Sequence, residues 1–73
     1  MFGFNRGSKL RRFLKKHEIT QEELAEAAGV SRSTISRLSQ GDAFQPTVKN
    51  GNKIINALKK YDKKIDFNDF WSM

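Results

Sequence analysis

Residues 20–41, TQEELAEAAGVSRSTISRLSQG, decide how this chain folds. The stretch reads as two short helices joined by a tight turn. Thr20 supplies an N-cap hydroxyl, and Glu23, three residues on, completes a capping box. Leu24, Ala25 and Ala28 then recur at helical spacing as a narrow apolar stripe. Gly29 ends that helix, because glycine takes the left-handed C′ conformation at little steric cost. Ser31 caps the next helix, whose inward face is Ile35 and Leu38. Its other face, Arg32, Ser33, Thr34, Ser36, Arg37 and Gln40, holds no large apolar residue and no acid. A short helix with such a face, held by its back against another helix, suits the base edges of a duplex groove.

Composition limits what surrounds this corner. A chain of 73 residues is read as one small domain over 1–73, too small for a large catalytic cleft. Hydrophobic content of 37% with regular periodicity argues for a folded chain rather than disorder. There is no cysteine, hence no disulfide framework and no thiolate metal site. No apolar run is long enough to span a bilayer and no signal-peptide pattern is present, so a reducing cytoplasm is the expected compartment. A net charge of +6 favours a polyanionic partner without implying sequence specificity.

The charge is segregated. Residues 1–16 carry Arg6, Lys9, Arg11, Arg12, Lys15 and Lys16 and no acid. Residues 17–29 carry Glu18, Glu22, Glu23 and Glu26 and no lysine or arginine. Positive charge returns at Arg32 and Arg37 and then at Lys49, Lys53, Lys59 and Lys60. In a bundle this pattern gives one positive face and one negative flank, or simply a set of solvated helix faces.

Upstream of the corner, Met1–Gly7 is either an arm or a segment folded back, with Phe2 and Phe4 expected inside. Ser8 caps a first helix to about Lys16, with Leu10, Phe13, Leu14 and His17 on its apolar side. A basic amphipathic helix can also lie on a membrane, but about three turns followed by the helix pair argue against it. His17, the only histidine, sits where it can cap helix carbonyls. With no cysteine or second histidine it has no metal-sharing partner, and no spacing suggests a nucleophile and orienting acid beside it. No enzyme, metal, cofactor or small-molecule ligand is therefore expected.

Downstream, Gly41–Pro46 reads as a loop and Thr47 as the cap of a fourth helix to about Lys60 or Tyr61. Val48, Ile54, Ile55 and Leu58 are assigned to its core face, and Asn50-Gly51 predicts an effective start near Asn52. Asp66 caps a last short helix, Phe67 to about Ser72. Phe67, Phe70 and Trp71 make an aromatic face that either closes the domain's own core or packs on another chain.

Taken together, Gln21, Leu24, Ala25, Gly29, Val30, Ser31, Ile35, Leu38 and Gly41 resemble the helix-turn-helix of the phage Cro/repressor class, the XRE-like family of DNA-binding domains. The likeness runs without gaps through Pro46, Lys53-Ile54 and Ala57-Leu58 and covers about Leu10 to Leu58. It implies an all-α, four- to five-helix bundle with the helix-turn-helix at Thr20–Gln40 and Ser31–Gln40 as recognition helix. It also implies base contacts from Arg32, Ser33 and Arg37, with Thr34 beside them able to reach a base or a phosphate, and phosphate contacts from Gln21, Ser36, Gln40, Lys49 and Lys53. Arginine fits this role chemically, since its fork matches guanine O6 and N7. The competing reading has Arg32 and Arg37 touching only phosphates or pairing with Glu22 or Glu26.

Three departures from the family stand out. An arginine on the first helix and a glutamate late in the recognition helix, often paired, are replaced here by Leu14 and Ser39, which strands no charge. The loop after the recognition helix reads Asp42, Ala43, Phe44, Gln45 where basic or polar residues often grip phosphate. Gly51 and Asn52 stand where leucines are common. The expected function is thus a transcriptional regulator binding double-stranded operator DNA in a phage or bacterial switch, as a homodimer on palindromic half-sites. The alternative is an antirepressor or corepressor acting in a complex with a repressor, as the phage modulators of repression do, with Phe44, Phe67, Phe70 and Trp71 as partner contacts.

Overall fold

Five helices and no strand make up residues 8–41 and 44–71, the part of the chain that the computed structural model describes. They are α1 (Lys9–Lys16), α2 (Gln21–Ala28), α3 (Arg32–Gln40), α4 (Val48–Leu58) and α5 (Phe67–Phe70). The expectations for Phe2, Phe4 and the 1–7 segment, and for Asp42, Ala43 and Ser72, fall outside those residues.

Local capping chemistry explains where the helices begin. The Ser8 hydroxyl accepts from Arg11 N–H at 3.2 Å. At α2 the capping box is complete: Thr20 Oγ1 accepts from Glu23 N–H at 3.0 Å, and Glu23 Oε1 accepts from Thr20 N–H at 2.9 Å. Ser31 Oγ accepts from Thr34 N–H at 3.1 Å, and Thr47 Oγ1 accepts from Asn50 N–H at 3.1 Å. Gly29 closes α2 at φ 74°, with Gly29 and Val30 N–H both donating to the Ala25 carbonyl.

The end of α1 follows a rule the sequence conceals. Ile19 N–H donates to Leu14 O at 2.8 Å and Glu18 N–H to Lys15 O at 3.2 Å. This is a Schellman closure, normally built on a left-handed glycine. Here Glu18 takes that conformation, at φ 57°. Ile19 and Leu14, the residues joined across the closure, are both buried in the core. His17 caps α1 through its backbone N–H, not its ring, which lies 4.3 Å from the Phe13 ring and 5.9 Å from the Tyr61 ring.

The core gathers Leu10 and Leu14 of α1, Leu24, Ala25 and Ala28 of α2, Ile35 and Leu38 of α3, and Ile54, Ile55, Ala57 and Leu58 of α4. Ile19 and Ile65, two connector residues, are also buried. Helix α2 packs on both α3 and α4, α1 packs on α3, and α5 packs on α4. Leu14 and Ser39 are both buried, and Ser39 Oγ donates to the Ile35 carbonyl at 2.8 Å, so the hydroxyl adds no unpaired polar atom. The Ser39 carbonyl in turn accepts from Ser8 N–H at 3.2 Å, tying the end of α3 to the start of α1.

Four expectations need correction. Helix α4 is regular from Val48 through Asn50-Gly51 rather than starting near Asn52. Gly51 is buried beneath the Phe67 ring, and a Cβ there would collide with that ring. Tertiary packing thus overrides the poor propensity of the dipeptide. Val48 is not a core residue: it is 52% exposed, as part of a first turn in which Thr47 and Lys49 are exposed too. The helix ends at Leu58, with Lys59 as its cap, short of Lys60. Helix α5 ends at Phe70, because Trp71 turns extended, at φ −133° and ψ 136°, and drops its indole into the core.

That last change decides between the two fates of the aromatic face. Phe70 and Trp71 are buried, Phe67 packs half-buried against the same core, and Phe67 and Trp71 have ring centroids 5.1 Å apart. Phe70 also meets Phe13 edge-on at 5.6 Å. The face thus packs on the chain's own core, with Phe70 and Trp71 inside it and Phe67 at its edge.

Candidate nucleic-acid interface

Helix α3 is nine residues long, about 13 Å at the usual helical rise. Ile35, Leu38 and Ser39 face inward, which fixes the direction of everything else on the helix. Arg32, Ser33, Ser36, Arg37 and Gln40 form one outward stripe, four residues apart in two overlapping rows. Together with Gln21, the first residue of α2, and Phe44 from the following loop, they line one open hollow of about 520 Å³. Among the described residues no acid lines it. Arg32, Ser33, Arg37 and Gln40 are exposed, and Ser36 and Gln21 are half-buried at the hollow's edges.

Arg32 and Arg37 form no ion pair among the described residues, with Glu22 and Glu26 or with any other acid. Their guanidinium groups therefore reach solvent from a helix whose back is held by the core. The cap of α3 steadies the stripe at its start. Ser31 Oγ and Thr34 Oγ1 are 2.8 Å apart, so the Thr34 hydroxyl is engaged with the cap. Thr34 lines a second, smaller hollow of about 280 Å³ with Ser33, Arg37, Gln45, Pro46, Thr47 and Asn50.

The remaining phosphate candidates sit apart. Lys49 and Lys53 are exposed and lie one turn apart on α4, on the same face, but line neither hollow. Gln21 stands at the start of α2, where backbone N–H groups favour an anion, yet Glu22 and Glu23 share that first turn and oppose one. Phe44, assigned from sequence to a protein partner, is 43% exposed and lines the arginine-lined hollow. Its N–H donates to the Gly41 carbonyl at 3.4 Å. Sequence position alone does not reveal that Phe44 shares a hollow with Gln21 and Arg32.

Among the described residues no three His, Asp or Glu side chains come together as a metal site would need, and no helix is long and apolar enough to cross a membrane. A protein-family model described as helix-turn-helix matches residues 10–62, from α1 to the turn after α4. Comparisons with curated proteins and with solved structures gave no match.

Proposed function

The chain belongs to the XRE-type helix-turn-helix family of DNA-binding transcription regulators, and from that premise we propose that it reads operator DNA directly, with α3 in the major groove. Arg32, Ser33 and Arg37 contact base edges in this reading, and Thr34 supports them through the helix cap. Gln21, Ser36 and Gln40 hold phosphates beside the stripe, and Lys49 and Lys53 add grip from α4. The observation that carries the reading is a pair of exposed arginines, unpaired among the described residues, projecting from a helix about as long as the major groove is wide into a hollow whose described lining has no acid.

Residues 1–73 act as one domain, and two copies bind half-sites about one helical turn apart, since a single head spans too few base pairs for useful specificity. The setting that the resemblance implies is a phage or bacterial genetic switch in the bacterial cytoplasm. An antirepressor or corepressor working through a repressor complex is the weaker reading. It asks for exposed apolar anchors, whereas Phe67, Phe70 and Trp71 are turned into the core and Phe44 stands beside the arginines.

The test is binding of the purified protein to a duplex that it selects from a random library. Affinity should fall steeply with salt, as phosphate contacts release counterions. Arg37→Ala should cost about 1–3 kcal/mol on the selected duplex and relax its sequence preference. Lys53→Ala should weaken all duplexes alike and lower the salt slope by about 1. No selected duplex, or unchanged preference in both Arg32→Ala and Arg37→Ala, would overturn the reading.

A further inference from the structure

One side chain in the arginine hollow does not fit a purely polar interface. Phe44 is a large apolar ring, 43% exposed, lining the hollow with Arg32, Arg37 and Gln40. The other described residues of that lining are polar or cationic, so none of them gives the ring an apolar partner. Resting on the operator-reading proposal, we propose that Phe44 is a specificity-determining residue that packs on the C5-methyl group of a thymine.

The argument is chemical. Phosphates, guanine O6 and N7, adenine N6 and N7 and cytosine N4 are all polar, and a phenyl ring placed against any of them strips water without return. The thymine methyl is the one apolar group on the major-groove edge of a base pair. The ring lines the same hollow as Arg32, Arg37 and Gln40, so the thymine lies next to the bases that the arginines meet. The loop's departure from a phosphate-gripping composition then has a use: it exchanges a contact blind to sequence for one that reads a methyl.

Deoxyuridine isolates this contact, because it differs from thymidine only by that methyl. The duplex enriched by the full chain is remade with deoxyuridine at each thymine in turn, and binding is measured for wild type, Phe44→Ala and Phe44→Leu. Wild type should lose about fourfold in affinity at one position, the worth of one buried methyl group. Phe44→Ala should be indifferent to the exchange at that position, and Phe44→Leu should keep most of the discrimination. Circular dichroism should match for all three, because the ring lies outside the core.

A thymine preference that Phe44→Ala retains, or wild-type affinity insensitive to the exchange at every position, overturns the inference and leaves operator reading standing. A Phe44→Ala change confined to self-association, seen by sedimentation, overturns it in favour of a protein contact. Failure of the wild type to enrich any duplex overturns operator reading and this inference together.

Discussion

A methyl group added at Gly51 would land on the Phe67 ring. In most exposed helix positions glycine to alanine stabilises by roughly 0.5–1 kcal/mol. Here the sign inverts. The ring is packed against the core and its backbone is held by the α5 capping box, in which Asp66 N–H donates to Asp69 Oδ2 at 2.7 Å. Gly51→Ala should therefore destabilise by about 1–3 kcal/mol in denaturant unfolding, the cost of forcing an extra carbon into a filled site. At this scale the sequence was half legible. Arg32 and Arg37 stand out from their surroundings in sequence and stand out in space, exposed and unpaired among the described residues. Gly51 looks like a helix breaker because its reason, a ring sixteen positions away in the chain, is not local.

The helix boundaries show the same division between elements. The starts of α1, α2 and α3 were legible because each depends on a hydroxyl and an amide three residues apart, whereas at α4 the Thr47 cap was legible but Asn50-Gly51 masked the regular first turn behind it. The Gly29 stop was legible for an equally local reason. The α1 stop near Lys16 was legible in place but not in cause, because a glutamate occupies the left-handed position, held by the closure's hydrogen bonds and the burial of Leu14 and Ile19. That conformation costs a residue with a side chain roughly 1–2 kcal/mol, against a smaller entropic penalty for glycine. Glu18→Gly should accordingly raise stability by about 0.5–1 kcal/mol, read as a higher denaturation midpoint, and leave DNA binding unchanged. The end of α5 was misjudged for a related reason, since Trp71 abandons helical geometry to reach the core.

Across the whole molecule, the aromatic residues after α4 complete a core that the first four helices leave open. Trp71 is 2% exposed and touches the Phe67 and Phe70 rings. A domain of this size commonly has a stability of about 4–11 kcal/mol. Trp71→Ala should remove about 3–5 kcal/mol of it, seen in thermal unfolding, and should loosen α3 along with the rest because one core serves all five helices. The all-helical plan was legible from periodicity and caps; the lid that seals it was legible only as a choice between two fates. The meeting of Gly51 and Phe67 also reaches beyond this molecule into descent. A lineage that acquires leucine at the first position has to surrender the aromatic at the second, or detach α5 from α4. The two sites are thus bound to drift as a couple, and either one, met in a cousin of this chain, forecasts the other.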